Sequence, residues 1–398
     1  MTTAFNPQKD LETSHLPSKL PTLSLLILAL AGFITILTEA MPAGLLTQIS
    51  LSLNISESLT GQLITVYALG SLVATIPLVA ATQGIRRRSL LLTAIAGFVI
   101  ANTITTLSDS LIIILIARFL AGVSAGLVWA LLAGFAARMV PKHQQGKAIA
   151  IAMVGSPLAL SLGLPVGTFL GNLFGWRICF GIMSLIALLL MFLIRFKIPD
   201  FAPQSTKHRF SLHQVFTLAG IRSVLAVVLI FVLAHNILYT FIVPFLSLAQ
   251  LAARTDLILL IFGLSSVIGI WIMGLWIDRY LRVLALISTT IFAATALTLT
   301  FSADTPQVVY ISIAFWGLSF GGAGTLFQTA LAKTAGDATD VAQAMLVTVW
   351  NIAIAIGSIL GGILLEKVGV QVLPPVIFVL LIVTFIIIWK AKKYGFTQ

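Results

Sequence analysis

Residues Thr22 to Leu46 read TLSLLILALAGFITILTEAMPAGLL, an apolar run with one ionisable side chain, Glu39. A bilayer-spanning helix takes about 20 apolar residues, so this run suffices for one crossing. It is too long for the apolar centre of a signal peptide, and no small-residue cleavage site follows it. It therefore reads as a retained first span. Working outward, runs of the same kind lie at roughly 58–82, 89–107, 110–137, 147–171 and 176–195. A polar stretch from Phe196 to Arg222 follows, and six more runs fit 223–247, 257–277, 282–301, 306–332, 341–364 and 372–389. The whole composition agrees: 59% of the 398 residues are apolar and only 9% are charged, against about a quarter charged in an ordinary soluble domain. That excludes a soluble enzyme, a nucleic-acid binder and a disordered chain. Strand alternation is absent, which excludes an outer-membrane barrel. The predicted fold is an all-α membrane protein of twelve transmembrane helices in two six-helix halves.

The net charge of +11 takes its meaning from where the cations lie. With the N-terminal tail on side one and connections alternating, side one holds Lys9, Lys19, Arg86, Arg87, Arg88, Arg138, Lys142, Lys147, Arg195, Lys197, Lys207, Arg209, Arg222, Arg279, Arg282, Lys333, Lys390, Lys392 and Lys393. Side two holds Arg177, Arg254 and Lys367, and Arg118 lies within a span. Of the 23 Lys and Arg residues, 19 are therefore on side one and 3 on side two. Basic loops stay in the cytoplasm, so both termini are expected there. An odd number of spans would destroy the asymmetry. The expected units are a tail at 1–21, a first half at 22–195, a cytoplasmic linker at 196–222, a second half at 223–389 and a tail at 390–398. The single cysteine, Cys179, excludes disulfides and a cysteine metal cluster and reads as a small core residue.

Short basic turns stand at matching places in the two halves: VAATQGIRRR (Val79 to Arg88) after the second span and GLWIDRYLR (Gly274 to Arg282) after the eighth. A repeat of this kind puts a small-molecule site at mid-membrane between the halves. There is no GxxxxGK[ST], no HExxH and no cluster of acids and histidines at metal spacing. No enzyme activity, cofactor or metal is expected. The chemistry then falls to ionisable residues inside spans, which are costly in hydrocarbon and normally functional or paired: Glu39, Arg118 and His235.

Glu39 lies ~10 Å and Arg118 ~12 Å below the side-two boundary at 1.5 Å per residue. At matching depth they can pair or share a water network. A carboxyl group whose charge is favoured by a guanidinium and disfavoured by an apolar cavity can exchange protons near neutral pH. A permanent pair that merely holds two helices is the competing reading. His235, Asn236 and Tyr239 sit three and four residues apart in the seventh span and share a helix face; a hydrogen-bonded core histidine remains the alternative there. Arg118, Gly122, Gly126 and Trp129 form a stripe along the fourth span. The fifth carries Gly155, Pro157, Gly163, Pro165, Gly167 and Gly171, so it should be bent and closely packed, with a gate or plain packing as its purpose. Trp316, Phe320 and Phe327 with Gln328 in the tenth span, Trp350 and Asn351 in the eleventh, and Tyr67 with Trp129 could line a cavity by stacking and burial. Packing is the alternative for all of them.

The 6+6 layout and GLWIDRYLR resemble the major facilitator superfamily, whose loop signature reads G-x-x-x-D-R-x-x-R; Gly274, Asp278, Arg279 and Arg282 fit it. The resemblance implies that these four help hold the inner gate through charge pairs. The first-half copy departs, with Gln83 where the acid is expected. ARFLAGVSAG resembles the fourth-helix motif R-x-x-x-G, and in drug–proton antiporters that arginine, here Arg118, is tied to proton coupling. GSPLALSLGLPVGTFLG resembles the antiporter motif of the fifth helix, with a Gly163, Pro165, Gly167 core in place of G-P-x-x-G-G. TEAMPAGLL and Ala338 to Gly362 are similar to the twelve-helix drug–proton antiporter branch, which includes arabinose-like sugar, purine nucleoside and chloramphenicol exporters. The resemblance implies an inner-membrane efflux transporter that exchanges a drug, sugar or nucleoside for protons. Glu39 and Arg118 would couple the proton. His235, Asn236, Tyr239, Trp129, Trp316, Phe320, Trp350, Asn351 and Tyr67 would form the cavity wall. The coupling ion is the proton, with no other cofactor, and the partners are a small-molecule substrate and the lipid bilayer, for a monomer. An importer or facilitator of sugars or nucleosides without proton counterflow stays open.

Overall fold

The computed structural model describes residues 20–82, 85–141, 144–201 and 211–396. Gln83, most of the tail expected at 1–21 and the centre of the linker expected at 196–222 lie outside the described residues, as does the Asp278 side chain. Among the described residues all regular structure is helical. Helices follow from apolar runs because in lipid a backbone must satisfy its own hydrogen bonds. Among the described residues eleven helical stretches are long and apolar enough to cross a membrane, and Glu57–Ala81, 25 residues long, stands at the place of the second expected span.

The first span is Thr22–Gly44, the third Arg87–Leu107, the fourth Leu111–Arg138 and the sixth Trp176–Lys197. The fifth is broken into Gln145–Met153, Gly155–Leu158, a π turn at Ala159–Gly163 and Leu164–Phe174. Pro165 has no N–H to give the Ser161 carbonyl, so the turn ahead of it widens. The seventh is Ile221–Thr240, continued by Ile242–Leu246; the tenth is Pro306–Gly321 with Ala323–Ala335; the eleventh is Thr339–Lys367 and the twelfth Leu373–Lys390.

Three features between and after the spans add to the sequence reading. The eighth and ninth spans have no loop between them: helix Thr255–Ser302 is interrupted only at Tyr280 (φ −130°, ψ 33°). The turn contains no proline, so both helices wind up to that residue. Both described ends of the linker carry structure. Residues 198–201 dock on the first-half basic turn, where Arg86 pairs with Asp200 at 3.0 Å and Arg88 donates to the Ile198 carbonyl at 3.3 Å. A capped helix at Leu212–Thr217 follows. The end of the chain is folded as well: Phe396 is fully buried and Gly395 lies against Gly220 and Val224.

Helix pairings recur between the two groups. The second span packs on the fourth as the eighth does on the tenth, and the third on the sixth as the ninth does on the twelfth. Glycines permit the closest approaches, as is usual where helices meet in lipid. A Cβ on Gly122 would run into the Tyr67 carbonyl, and one on Gly317 or Gly321 into the carbonyls of Phe262 and Ser266. The two groups meet through the second and eleventh spans and through the fifth and eighth. Ser56 donates to Glu366 at 2.9 Å, Gly362 lies against Ser58, Gly61 and Gly361 against Phe241, and Gly263 against Ser161. All of these contacts lie from mid-membrane to the side away from the basic turns. Toward the basic side, Gly134, Gly274 and Gly324 face open space. Outward faces, such as Leu185, Leu188, Leu189 and Phe192 of the sixth span, are more than half exposed and apolar, as lipid contact requires.

Candidate functional site

Arg118 is 1% exposed, so its charge must be met inside the protein. Three main-chain carbonyls meet it: Nη1 donates to Thr38 at 2.7 Å, Nε to Leu63 at 3.2 Å and Nη2 to Glu39 at 3.3 Å. Its guanidinium also lies over the Tyr67 ring, 4.8 Å from the centroid. Tyr67 in turn donates its hydroxyl to the Thr35 carbonyl at 3.0 Å. Arg118 thus ties the fourth span to the first and second through backbone.

The Glu39 carboxylate is not its partner. Among the described residues the ion pairs are Arg86–Asp200 and Arg177–Asp109, and no hydrogen bond ends on the Glu39 side chain. The direct pair is therefore replaced by guanidinium-to-carbonyl bonds on the same helical turn, and the half-buried carboxylate is left free. Asn102 completes this corner. It donates to Thr38 Oγ1 at 3.2 Å while its own Oδ1 has no partner among the described residues.

Across from it the seventh, eighth and tenth spans supply a cluster of rings. His235 stacks on Phe320 at 3.5 Å and on Tyr239 at 4.8 Å, with Trp316 at 5.1 Å and Phe262 at 5.8 Å. Trp350 joins at 6.2 Å from Phe320. His235 Nδ1, Tyr239 Oη and Trp316 Nε1 are buried without a hydrogen-bond partner among the described residues. Unpaired buried polar atoms are rare and call for an explanation. Here three of them stand in one aromatic wall.

The other expected site residues fall differently. Asn236 shares its helix with His235 but not its face: it donates to its own Val232 carbonyl at 2.9 Å, and its Cβ lies against Gly357 of the eleventh span. Asn351 likewise bonds back to Val347 at 2.9 Å. Tyr67 is sealed under Arg118, away from the ring cluster, and Trp129 is half-buried with no ring partner among the described residues. The stripe of Gly155, Gly163, Gly167 and Gly171 packs on Ala29, Phe33, Met41 and Leu45 of the first span, with Pro165 buried beside it. In the second basic turn Arg282 donates to the Trp389 carbonyl at 2.8 Å and Arg279 lies over Tyr280 at 5.3 Å, while Gly274 faces open space. These cations contact backbone and rings of their own half.

Two site residues escaped the sequence reading. Asn102 is an amide inside an apolar run, and burying an amide carries a penalty of its own; counting ionisable groups alone passed over it. Phe262 is one of 25 phenylalanines and carries no distinguishing signal.

A family profile described as Major Facilitator Superfamily matches residues 28–336 and, in an overlapping match, 247–394. A "Probable sugar efflux transporter" of Pasteurella multocida (strain Pm70) is 30% identical over 347 residues, covering 86% of this chain and 85% of that protein. Its namesake in Haemophilus influenzae (strain PittGG) is 29% identical over 359 residues, 89% and 90% of the two chains. Among solved structures, a D-xylose-proton symporter superposes with a TM-score of 0.76 at 15% identity, covering 94% of this chain and 98% of that one. A bacterial homolog of the human lysosomal transporter Spinster, inward-facing and unoccupied, gives 0.70 at 14% identity over 95% and 98%. With paired helix groups, polar side chains gathered at their seam and a family match along nearly the whole sequence, this chain belongs to the Major Facilitator Superfamily of multi-pass membrane transporters.

Proposed function

We propose that this protein exports a sugar-class compound across the inner membrane in exchange for protons. It works as a monomer of twelve spans with both termini in the cytoplasm, by rocking two six-helix halves about a central site. The observation that carries the reading is the Glu39 carboxylate: it lies at the seam, half-buried, while the one nearby guanidinium is occupied by carbonyls. A carboxyl group so placed can gain and lose a proton without breaking a structural bond. The substrate class follows from the facing wall. Aromatic faces suit the C–H faces of a sugar ring, and the unpartnered atoms of His235, Tyr239 and Trp316 suit its hydroxyls. The names of the two relatives agree.

One proton entering down 100 mV yields ~2.3 kcal/mol, equivalent to a ~50-fold gradient at 1.4 kcal/mol per decade. The test is reconstitution in liposomes with an imposed pH gradient and an internal pH dye. Sugars added to the loading side should release protons with the wild type and not with Glu39→Gln. Proton release that persists undiminished in Glu39→Gln removes Glu39 from the mechanism. Sugar exchange without proton movement in the wild type makes the protein a facilitator.

A further inference from the structure

The last arginine of each basic turn has an equivalent partner. Arg88 donates to the Ile198 carbonyl just past the sixth span at 3.3 Å, and Arg282 to the Trp389 carbonyl at the end of the twelfth at 2.8 Å. Each cation thereby meets the negative end of a helix. Beyond that point the halves differ in charge. Three residues past the sixth span, which ends at Lys197, stands Asp200. It pairs with Arg86 at 3.0 Å and accepts from the Arg88 main-chain N–H at 3.3 Å. Three residues past the twelfth span, which ends at Lys390, stands Lys393. No acid occurs from Leu373 to Gln398.

Arg279, Arg282, Lys390, Lys392 and Lys393 thus gather where the eighth, ninth and twelfth spans end or begin, with no ion-pair partner among the described residues. Counting Asp278 of the same turn, the corner still holds these five cations against one acid. The Arg282 Nε is buried without a hydrogen-bond partner among the described residues. The segment that carries the lysines is held in place: Phe396 is buried, and Thr334 donates to the Gly395 carbonyl at 3.3 Å. Lys392 and Lys393 are therefore presented, exposed, on a fixed turn. The neighbouring side chains identify the missing anion. Trp276 and Trp389 are 50% and 60% exposed, and Arg282 lies over the Trp389 ring at 5.6 Å. Exposed indoles mark the headgroup level of a bilayer. Leu275, Val283 and Ile386, close to them in sequence, are exposed and apolar, as contact with acyl chains requires.

We propose that this corner binds the headgroup phosphate of an anionic phospholipid, which does for the second half what the Asp200 carboxylate does for the first. The phosphate oxygens accept from the guanidinium and ammonium groups, and the acyl chains lie along the apolar side chains below. A lysine beside an anionic headgroup contributes roughly fivefold in affinity.

The experiment uses the full chain, stripped of lipid in dodecylmaltoside and titrated with dioleoylphosphatidylglycerol, dioleoylphosphatidylcholine or inorganic phosphate, with bound adducts counted by native mass spectrometry. Phosphatidylglycerol should bind at least tenfold more tightly than phosphatidylcholine. Lys392→Gln combined with Lys393→Gln should weaken it at least tenfold, and Lys393→Asp alone, which supplies the absent acid, should do the same. Arg195→Gln combined with Lys197→Gln removes two exposed cations from the first half and should change binding by less than twofold. None of these four side chains makes a hydrogen bond among the described residues, so the variants should fold, which size-exclusion chromatography checks. Equal losses in the two double variants reduce the effect to diffuse attraction and overturn the site. Equal binding of the two lipids, or inorganic phosphate binding as tightly as phosphatidylglycerol, overturns the assignment to an anionic lipid.

Discussion

If Arg118 is held by main-chain carbonyls, replacing it and replacing Glu39 should have unlike and independent consequences for stability. The guanidinium makes one short bond at 2.7 Å and two longer ones at 3.2 and 3.3 Å. A hydrogen bond to a charged group contributes roughly 1.5–3 kcal/mol. Counting the short bond at about 2 and each longer one at about 1 gives about 4 kcal/mol, with about 1 more from the contact over Tyr67. Lysine keeps the charge, but an ammonium lacks the planar fork that reaches carbonyls on two helices at once. Retaining about half of the bonding, Arg118→Lys should lose roughly 2 kcal/mol. Glu39→Gln removes no bond seen in the structure and should stay within about 0.5 kcal/mol of wild type, the usual range for a substitution that breaks no such feature. The double variant should lose about the sum of the two. Reversible unfolding in mixed SDS and dodecylmaltoside micelles, followed by circular dichroism, measures all three. Were the carboxylate the real partner, removing it would strand a buried charge at a loss of about 3–5 kcal/mol. A Glu39→Gln variant as unstable as Arg118→Lys, with the double variant no worse than either, would refute the assignment.

Glycine substitutions should divide by location. Gly122→Ala drives a Cβ into the Tyr67 carbonyl and should sharply lower the yield of monodisperse protein on size-exclusion chromatography, whereas Gly134→Ala meets open space and should match wild type. Ser56→Ala removes the hydrogen bond to Glu366 across the seam. At about 1 kcal/mol for one such bond, the population open on that side should rise about fivefold, as read by spin-label distances between introduced cysteine pairs, since the native Cys179 is buried. Trp316→Phe keeps a ring in the aromatic wall and deletes the unpartnered N–H. It should raise the half-saturating sugar concentration in counterflow by roughly five- to tenfold, one hydrogen bond's worth, without lowering thermal stability. An unchanged value would remove Trp316 from sugar contact.

The apolar run from Thr22 to Leu46 already settled what kind of molecule this is, because a sequence with 9% charged residues has no soluble alternative. Helix positions were legible to within a few residues, since twenty apolar residues in lipid have one way to satisfy their backbone. His235 and Asn236 are consecutive, so their side chains point about 100° apart around the helix, and the packing of Gly357 against Asn236 decides that it is the amide's side that meets the eleventh span.

What the amino-acid order determined alone was the all-helical membrane class and the short list of side chains too polar for lipid, both of which follow from transfer free energies summed along the chain. Whom those side chains meet was decided in three dimensions. Arg118 and Glu39 share a depth, yet the guanidinium turns to carbonyls of Thr38, Glu39 and Leu63; close contact at Gly122 brings the second span, and with it the Leu63 carbonyl, within reach. The ring cluster around His235 is drawn from three helices far apart in sequence. Their convergence depends on helix rotation and on contacts between distant spans, quantities that no local pattern encodes.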